Sequence, residues 1–503
     1  MTACAFTRAQ LGMEAPRVTV EVHCGSGLPQ FTLVGLAEAA VRESRERVQA
    51  ALVNSGYSVP AGRIVVNLSP ADLPKEGGRY DLAIAMGLLA ASGQIPATWL
   101  SEVEFHGELS LAGDLRPVPG LLVATVRAAA EGRGVVVPEA NEAEARLAAG
   151  ARVLAVRHLT ALVGTLREGD STGFVVSRPV RPACGIRAPE LAEVRGQVAA
   201  RRALEIAAAG GHGLLLVGPP GAGKSMLAAR LPGLLPPLSD QEATECAMVR
   251  SLTAGGFGES CGSCRPFRAP HHAASASAIV GGGSRPTPGE VSLAHHGVLF
   301  LDELPEFNRA VLEALREPLE CGSVRVVRAG YRASFPARFQ LVAAMNPCPC
   351  GYAGYRADRC RCSPSQVNRY AGRVSGPLID RIDMHLFMQP SLGRCDAPGS
   401  VACESSAVVA GRVDQARQIQ TGRGALNALL GGAMLDEACG LDPASALWLD
   451  EATSRLGLSA RAQVKVRRVA RTIADLAGRC RVEQGDLAEA LSYRRLDRVP
   501  GGG

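Results

Sequence analysis

Apolar and polar positions repeat at two periods along this chain, and the switches between them outline its elements. VTVEVHC (Val18 to Cys24) and RIVVNLS (Arg63 to Ser69) alternate residue by residue, which predicts two half-buried strands. Between them, AEAAVRESRERVQAALVNSG (Ala37 to Gly56) spaces its apolar residues as a helix does and stops at Gly56. DLAIAMGLLAASG predicts a buried helix, and GVVVPE (Gly134 to Glu139) a later strand. Residues 1–170 therefore read as one α/β domain. Polar SRPVRPACGIRAPE, with three prolines and little periodicity, marks a linker over 171–190. A second α/β unit follows over 191–395. From 396 to 503 the pattern is helical, including ARAQVKVRRVARTIADLAGR (Ala460 to Arg479).

Composition narrows the class. At about 100–200 residues per domain, 503 residues predict roughly three domains, and 47% hydrophobic content suffices for their cores. Charged residues make up only 20%, which excludes a disordered chain. Basic residues number 54 and acidic 48, and the net +6 leaves a polyanionic partner open without establishing one. The start has no apolar leader core, and the stretch from Ala207 to Val217 is too short to span a bilayer, so a cytoplasmic protein without membrane contact is expected. Fifteen cysteines, an odd number, fit reduced thiols better than a disulfide framework.

The strongest chemical signal is LLLVGPPGAGKSMLAARL. Gly218, Pro219, Pro220, Gly221, Ala222, Gly223, Lys224 and Ser225 stand between an apolar strand and a helical pattern. Glycines there let backbone N–H groups curl around phosphates, Lys224 would meet the β and γ oxygens of ATP, and Ser225 would bind Mg2+. Downstream, VLFL ends in Asp302 and Glu303. A carboxylate at a strand end beside such a loop can hold the magnesium shell and the next can deprotonate water, so Asp302 is assigned to magnesium and Glu303 to the water. A third strand, FQLVAAMNPC, ends in Asn346, suited to bond the γ-phosphate or the attacking water.

These three motifs and the following helical region look like an AAA+ ATPase. More narrowly, RPFRAPHHAASASAIVGGGSRPTPGEVSLAHHGVLFLDELPEF, NPCPCGY and SGPLIDRIDMH resemble the magnesium-chelatase-like ComM (YifB) family over nearly the whole chain. The resemblance implies a three-layer P-loop AAA+ α/β core, a C-terminal helical lid, and an N-terminal α+β domain of Lon-protease-like (ribosomal S5 domain 2-like) fold. It implies that Arg381 in DRID is an arginine finger reaching a neighbouring subunit's ATP. Arg461 is similar to a second sensor that touches the γ-phosphate from the lid. Read without the family, each arginine is equally a surface cation, and Asp380 and Asp383 could simply pair with Arg381. A finger supplied across an interface implies a ring, expected to be a homo-hexamer.

Two inserted segments are candidates for contact with single-stranded or branched DNA. One is Arg265 to Glu290, rich in Gly, Ser, His and Arg. The other is SVRVVRAGYRASFPARF, a hairpin pattern around Ala329 and Gly330 that carries Arg325, Arg328 and Arg332. Arginines on such a hairpin could follow a phosphate backbone, or they could keep a solvent-facing hairpin soluble. His271 and His272 read as structural or capping residues. Cys348, Cys350, Cys360 and Cys362 could bind Zn2+ as four thiolates, although Cys-x-Cys is tighter than the usual spacing; the alternative is unligated thiols. Cys261 and Cys264 stay unassigned.

Proteolysis is excluded by the residues at the Lon-like positions. A Ser-Lys dyad needs a hydroxyl and a lysine base, but Arg79 and Leu122 stand there and only Lys75 is nearby. The resemblance implies an ATP-driven DNA motor of the branch-migration helicase kind, promoting DNA integration in natural transformation and recombination. The alternative is a chelatase-type motor subunit that drives metal insertion into a porphyrin.

Overall fold

Two sheets organise the chain. The computed structural model describes residues 1–35, 41, 43–167, 173–178, 188–253, 263–283, 286–328, 331–355, 358–389, 403–494 and 496. Most of the linker expected at 171–190, the boundary at 395–396 and Cys261 lie outside these residues.

The first sheet is built from β1 (Thr2–Arg8), β2 (Arg17–Gly25), β3 (Gln30–Val34), β4 (Arg63–Ser69), β5 (Val103–Phe105), β8 (Gly134–Pro138), β9 (Arg152–Val156) and β10 (Val175–Val176), with a small hairpin of β6 (Glu108–Leu109) and β7 (Leu115–Arg116) beside it. Its order is β10-β9-β8-β5-β1-β2-β4-β3. β1, β2 and β4 pair antiparallel, while β5, β8 and β9 pair parallel. Val18, Val20 and Val22 of β2 are buried, as their alternation predicts. The helix Asp81–Ala91 packs its apolar faces on β1 and β2. The helix expected over Ala37 to Gly56 is described from Ser44 to Asn54 and ends before Gly56, whose φ of +82° breaks it.

One buried ion pair pins this sheet. Arg8 donates two hydrogen bonds of 2.8 Å to the Glu104 carboxylate, and both side chains are buried. Burial alone would lift the pKa of Glu104, but His106 and Arg8 outweigh it and hold the carboxyl below its ordinary value.

The second sheet uses β11 (Leu214–Val217), β12 (Phe267–Arg268), β15 (Val298–Leu301), β18 (Gln340–Met345) and β19 (Met384–Phe387). Between them come two hairpins, β13 (Gly281–Gly282) with β14 (Thr287–Pro288), and β16 (Ser323–Arg328) with β17 (Tyr331–Pro336). The order is β12-β15-β18-β11-β19, and every pair is parallel. A parallel sheet needs both faces covered, so its strands read as continuous apolar runs. LLLV and VLFL are buried at every position. Alternate residues of β11 enter opposite cores: Leu215 and Val217 pack toward the first domain, Leu214 and Leu216 toward the helices Val198–Gly210, Ser406–Arg423 and Ala460–Leu476. Each such burial contributes ~1.5–3 kcal/mol. The result is the mixed α/β architecture with a parallel central sheet and a helical C-terminal part that the sequence predicts.

The first domain packs directly onto the second. Its helix Leu121–Ala130 packs against the helix Asp240–Ser251, and the Gly120 N–H donates to Ser251 O at 2.8 Å. Ala333 and Phe335 of β17 approach Gly12 so closely that a Cβ there would lie 3.1 Å from the Ala333 methyl. Gly12 also has φ of +58°.

Replacing Arg8 by Met removes both of its charge-assisted hydrogen bonds and leaves the buried Glu104 carboxylate to Arg133, 3.2 Å away, and His106, which costs about 1.5–3 kcal/mol. Differential scanning calorimetry of Arg8→Met is expected to give an earlier unfolding transition; an unchanged scan contradicts the role assigned to this pair.

Candidate active site

The turn after β11 has the form that phosphate binding requires. Gly221 and Gly223 have φ of +78° and +87°, a region that side chains disfavour, and nothing lies within 4 Å of where a Cβ would sit on either. The positive φ, and not crowding, is therefore what calls for glycine at both. Gly218 is required for a different reason, because a Cβ there would meet Met388 O at 3.0 Å. Ala222 is buried and its N–H closes the turn onto Pro219 O at 3.2 Å, while Pro220 packs against Gly351. The helix Lys224–Ala228 starts at the end of this loop.

Register brings the other motifs to the same edge. Val217 lies beside Met345 and Leu301 beside Ala343, so β11, β15 and β18 finish together. Lys224 Nζ donates to Asn346 Oδ1 at 3.0 Å, and also to Gly218 O at 2.7 Å and Pro219 O at 3.1 Å. Burial lowers the Lys224 pKa, with Asp302 and Glu303 opposing that shift. Ser225 Oγ donates to Asp302 Oδ2 at 2.5 Å, and Asp302 Oδ1 accepts the Glu303 N–H at 2.9 Å. A hydroxyl and a carboxylate in contact beside an open anion cradle are the oxygen donors that suit Mg2+. Lys224, Ser225, Asp302, Glu303 and Asn346 thus surround one spot, as expected.

Glu303 adopts φ of +53°, a conformation that costs on the order of 1–3 kcal/mol for a non-glycine residue. This turn directs a half-exposed carboxylate away from the strand. His272 Nδ1 lies 3.3 Å from Glu303 Oε2, and the His272 ring packs edge-on to Phe307 and against His271. Beside the structural or capping duty expected of it, His272 thus lies against the carboxylate assigned to the water. Tyr370 is a further neighbour: burial first, then Glu306 and Glu303, push its phenol pKa up to about 12. No motif announced either contact, because both depend on strand order.

The two candidate arginines come together somewhere else. A cavity of about 520 Å³ is lined by Gly213, Arg381, Asp383, Arg461, Lys465 and Arg468. Gly213 precedes β11 and Asp383 precedes β19, so the cavity opens at the opposite edge of the sheet from the loop at Gly218. Five residues of strand, roughly 16 Å, separate the two edges. Arg461 therefore lies at the edge remote from the chain's own loop at Gly218. Arg381 donates to Pro377 O at 2.6 Å and pairs with Glu320. Asp383 instead holds Lys465 at 3.0 Å and accepts the Gly213 N–H at 3.0 Å. Burial would raise the Asp383 pKa, but Lys465 and His212 outweigh it and keep the carboxylate ionised.

The inserted segments divide. Arg265 and Arg268 are paired with Glu242 and Glu290, so they brace the segment from Arg265 to Glu290. In the β16–β17 hairpin, Val324, Val326, Ala333 and Phe335 face the core, while Arg325 and Arg332 lie on the exposed face. The Arg328 side chain and residues 329–330 are outside the described residues. Cys348, Cys350, Cys360 and Cys362 converge, with all four sulfurs within 4.8 Å of one another. In the first domain, Arg79 is buried and donates to Gln10 and Pro119 O, Leu122 is buried, and Lys75 bonds Pro70 O.

Family profiles match these parts in turn: subunit ChlI of magnesium chelatase over residues 20–141, magnesium chelatase subunit ChlI over 190–394, and its C-terminal region over 403–494. The chain is 49% identical over 500 residues to the YifB protein of Escherichia coli K12, covering 98% of this chain and 97% of that protein. It is 47% identical over 505 residues to the competence protein ComM of Haemophilus influenzae, covering 99% and 98%. The chain belongs to the ComM/YifB family of magnesium-chelatase-like AAA+ proteins. Likeness to the magnesium-chelatase 67 kDa subunit of Heliobacterium mobile is narrower, 28% identity over 34% of this chain and 30% of that protein. Among the described residues no helix is long and apolar enough to cross a membrane.

Substituting His272 by Ala should leave binding of a fluorescent ATP analogue within about twofold and slow ATP turnover about tenfold, or ~1.4 kcal/mol in the barrier. Turnover equal to wild type removes His272 from the site.

Proposed function

We propose that this chain is a ring-forming ATPase that moves along DNA and migrates branched junctions in the cytoplasm, serving DNA integration in natural transformation and recombination. The observation that carries this reading is the separation of the phosphate loop from Arg381 and Arg461. A chain with a phosphate site at one sheet edge and unassigned arginines at the other completes hydrolysis only when a second copy lends its arginines. A closed ring, with six subunits as the family suggests, satisfies every site at once.

The chemistry follows from the side chains. Backbone N–H groups of Gly221 to Lys224 cradle the β- and γ-phosphates of ATP, and Lys224 exchanges its contacts with Gly218 O and Asn346 for phosphate oxygens. Ser225 and Asp302 would hold the magnesium ion, which supplies charge neutralisation on the phosphates. Glu303 accepts a proton from water as its oxygen bonds to the γ-phosphorus and the bond to the β-phosphate bridging oxygen breaks. His272 fixes the Glu303 carboxylate and Asn346 orients the water or the γ-phosphate. Arg381 and Arg461 of the neighbouring copy neutralise the charge that develops on the transferred group.

DNA is the substrate favoured by the full-length likeness to a competence protein and by the exposed arginine face of the β16–β17 hairpin. Cations on a protruding hairpin bind a phosphate backbone without reading sequence. The competing reading, a motor for metal insertion into a porphyrin, draws on the names of the matching profiles.

The test is ATP turnover with and without a synthetic four-way junction. The wild type should be stimulated by the junction and should resolve it, while Glu303→Gln retains nucleotide and loses turnover about 10²- to 10⁴-fold. Turnover indifferent to DNA, with the junction left intact, contradicts the motor assignment.

A further inference from the structure

The loop after Asn346 departs from the rest of the chain. From Pro347 to Ser363 it contains no Leu, Ile, Val, Met or Phe, so it has almost no apolar surface with which to fold. It nevertheless brings four cysteines from two Cys-x-Cys pairs to one point. Cys348 Sγ lies 3.3 Å from Cys350 Sγ and 4.0 Å from Cys360 Sγ, and Cys350 Sγ lies 3.7 Å from Cys360 Sγ. Cys362 completes the group, and Cys348 is buried. A tetrahedral zinc ion with Zn–S bonds of ~2.3 Å separates its sulfurs by about 3.8 Å, whereas a disulfide needs about 2.05 Å. The observed spacings scatter around the first value and exclude the second.

The surroundings also suit thiolates. The Ala353 N–H donates to Cys348 Sγ at 3.3 Å, and the Tyr352 and Arg361 N–H groups donate to the Cys350 sulfur. Backbone donors turned onto sulfur stabilise negative charge there, as the partners of metal ligands commonly do.

The place of this loop gives the cluster a consequence. Gly351, in the turn between the pairs at φ of +86°, packs so tightly on the phosphate loop that a Cβ would lie 2.4 Å from Pro220 Cδ. Tyr355 sets its hydroxyl 3.4 Å from Val217 O, the last carbonyl of β11. Asn346, which holds Lys224, is two residues before the first cysteine. The geometry points to a structural zinc site of Cys348, Cys350, Cys360 and Cys362 whose ion folds this loop and thereby clamps Asn346 and Pro220 around the phosphate site. The ion has four protein ligands and no open position, so its part is architectural.

The experiment uses the full chain purified under reducing conditions. Elemental analysis should find about one zinc per chain. The double variant Cys350→Ser, Cys362→Ser should lose it and bind a fluorescent ATP analogue about tenfold more weakly. The control Cys321→Ser, Cys480→Ser should keep both. To guard against a variant that fails to fold, a mercurial that caps thiols should release the zinc from wild type in step with nucleotide affinity, and thiol plus zinc should restore both. A wild type that contains no zinc and takes none up overturns the site. Zinc loss with unchanged nucleotide affinity overturns the clamp. Neither readout involves DNA, so failure here is distinct from failure of the motor assignment.

Discussion

A parallel sheet has two chemically different edges, and the candidate functional residues of this chain divide between them. All five strands of the second sheet finish on one side, where the loop from Gly218 to Gly223, Lys224, Ser225, Asp302, Glu303 and Asn346 come together. They begin on the other side, where Arg381, Arg461 and Arg468 line a separate cavity around the Asp383–Lys465 pair. Strands of fixed rise keep these edges apart. Under the function proposed above, one chain holds the nucleotide-facing half of a catalytic site at one edge and the arginines it would lend at the other.

The other parts serve this division. The helices Ser406–Arg423 and Ala460–Leu476 share a core with Val198–Gly210, and His212 Nε2 lies 2.7 Å from Thr472 Oγ1, which ties the C-terminal part to the start of β11. The first domain shares the opposite core through the helix Leu121–Ala130. The β16–β17 hairpin is rooted there by Phe335 and Ala333, with arginines left on its outer face.

Much of this was legible in the sequence. Period-two alternation gave β2 and β4, continuous apolar runs gave the buried parallel strands, and the loop from Gly218 to Ser225 marked the phosphate site. Asp302, Glu303 and Asn346 could be assigned because each closes an apolar strand, and parallel strands put their ends together. What escaped were contacts between elements distant in sequence whose spatial order no motif encodes. His272 meets Glu303 only because the segment after β12 returns beside β15. Arg461 resembled a second sensor on the lid, and that it sits at the edge where β11 begins could not be read from its motif. Arg265 and Arg268 looked available for a polyanion until Glu242 and Glu290 proved to hold them.

The central claim is that hydrolysis is shared between copies, and mixing two inactive variants tests it most directly. Lys224→Ala should not retain ATP but still offers Arg381, while Arg381→Ala should retain ATP but lacks that arginine. Each alone should be inactive, and the mixture should regain turnover that rises and falls with the mixing ratio. A mixture as inactive as its components, or an Arg381→Ala protein that hydrolyses ATP at the wild-type rate, would contradict the account.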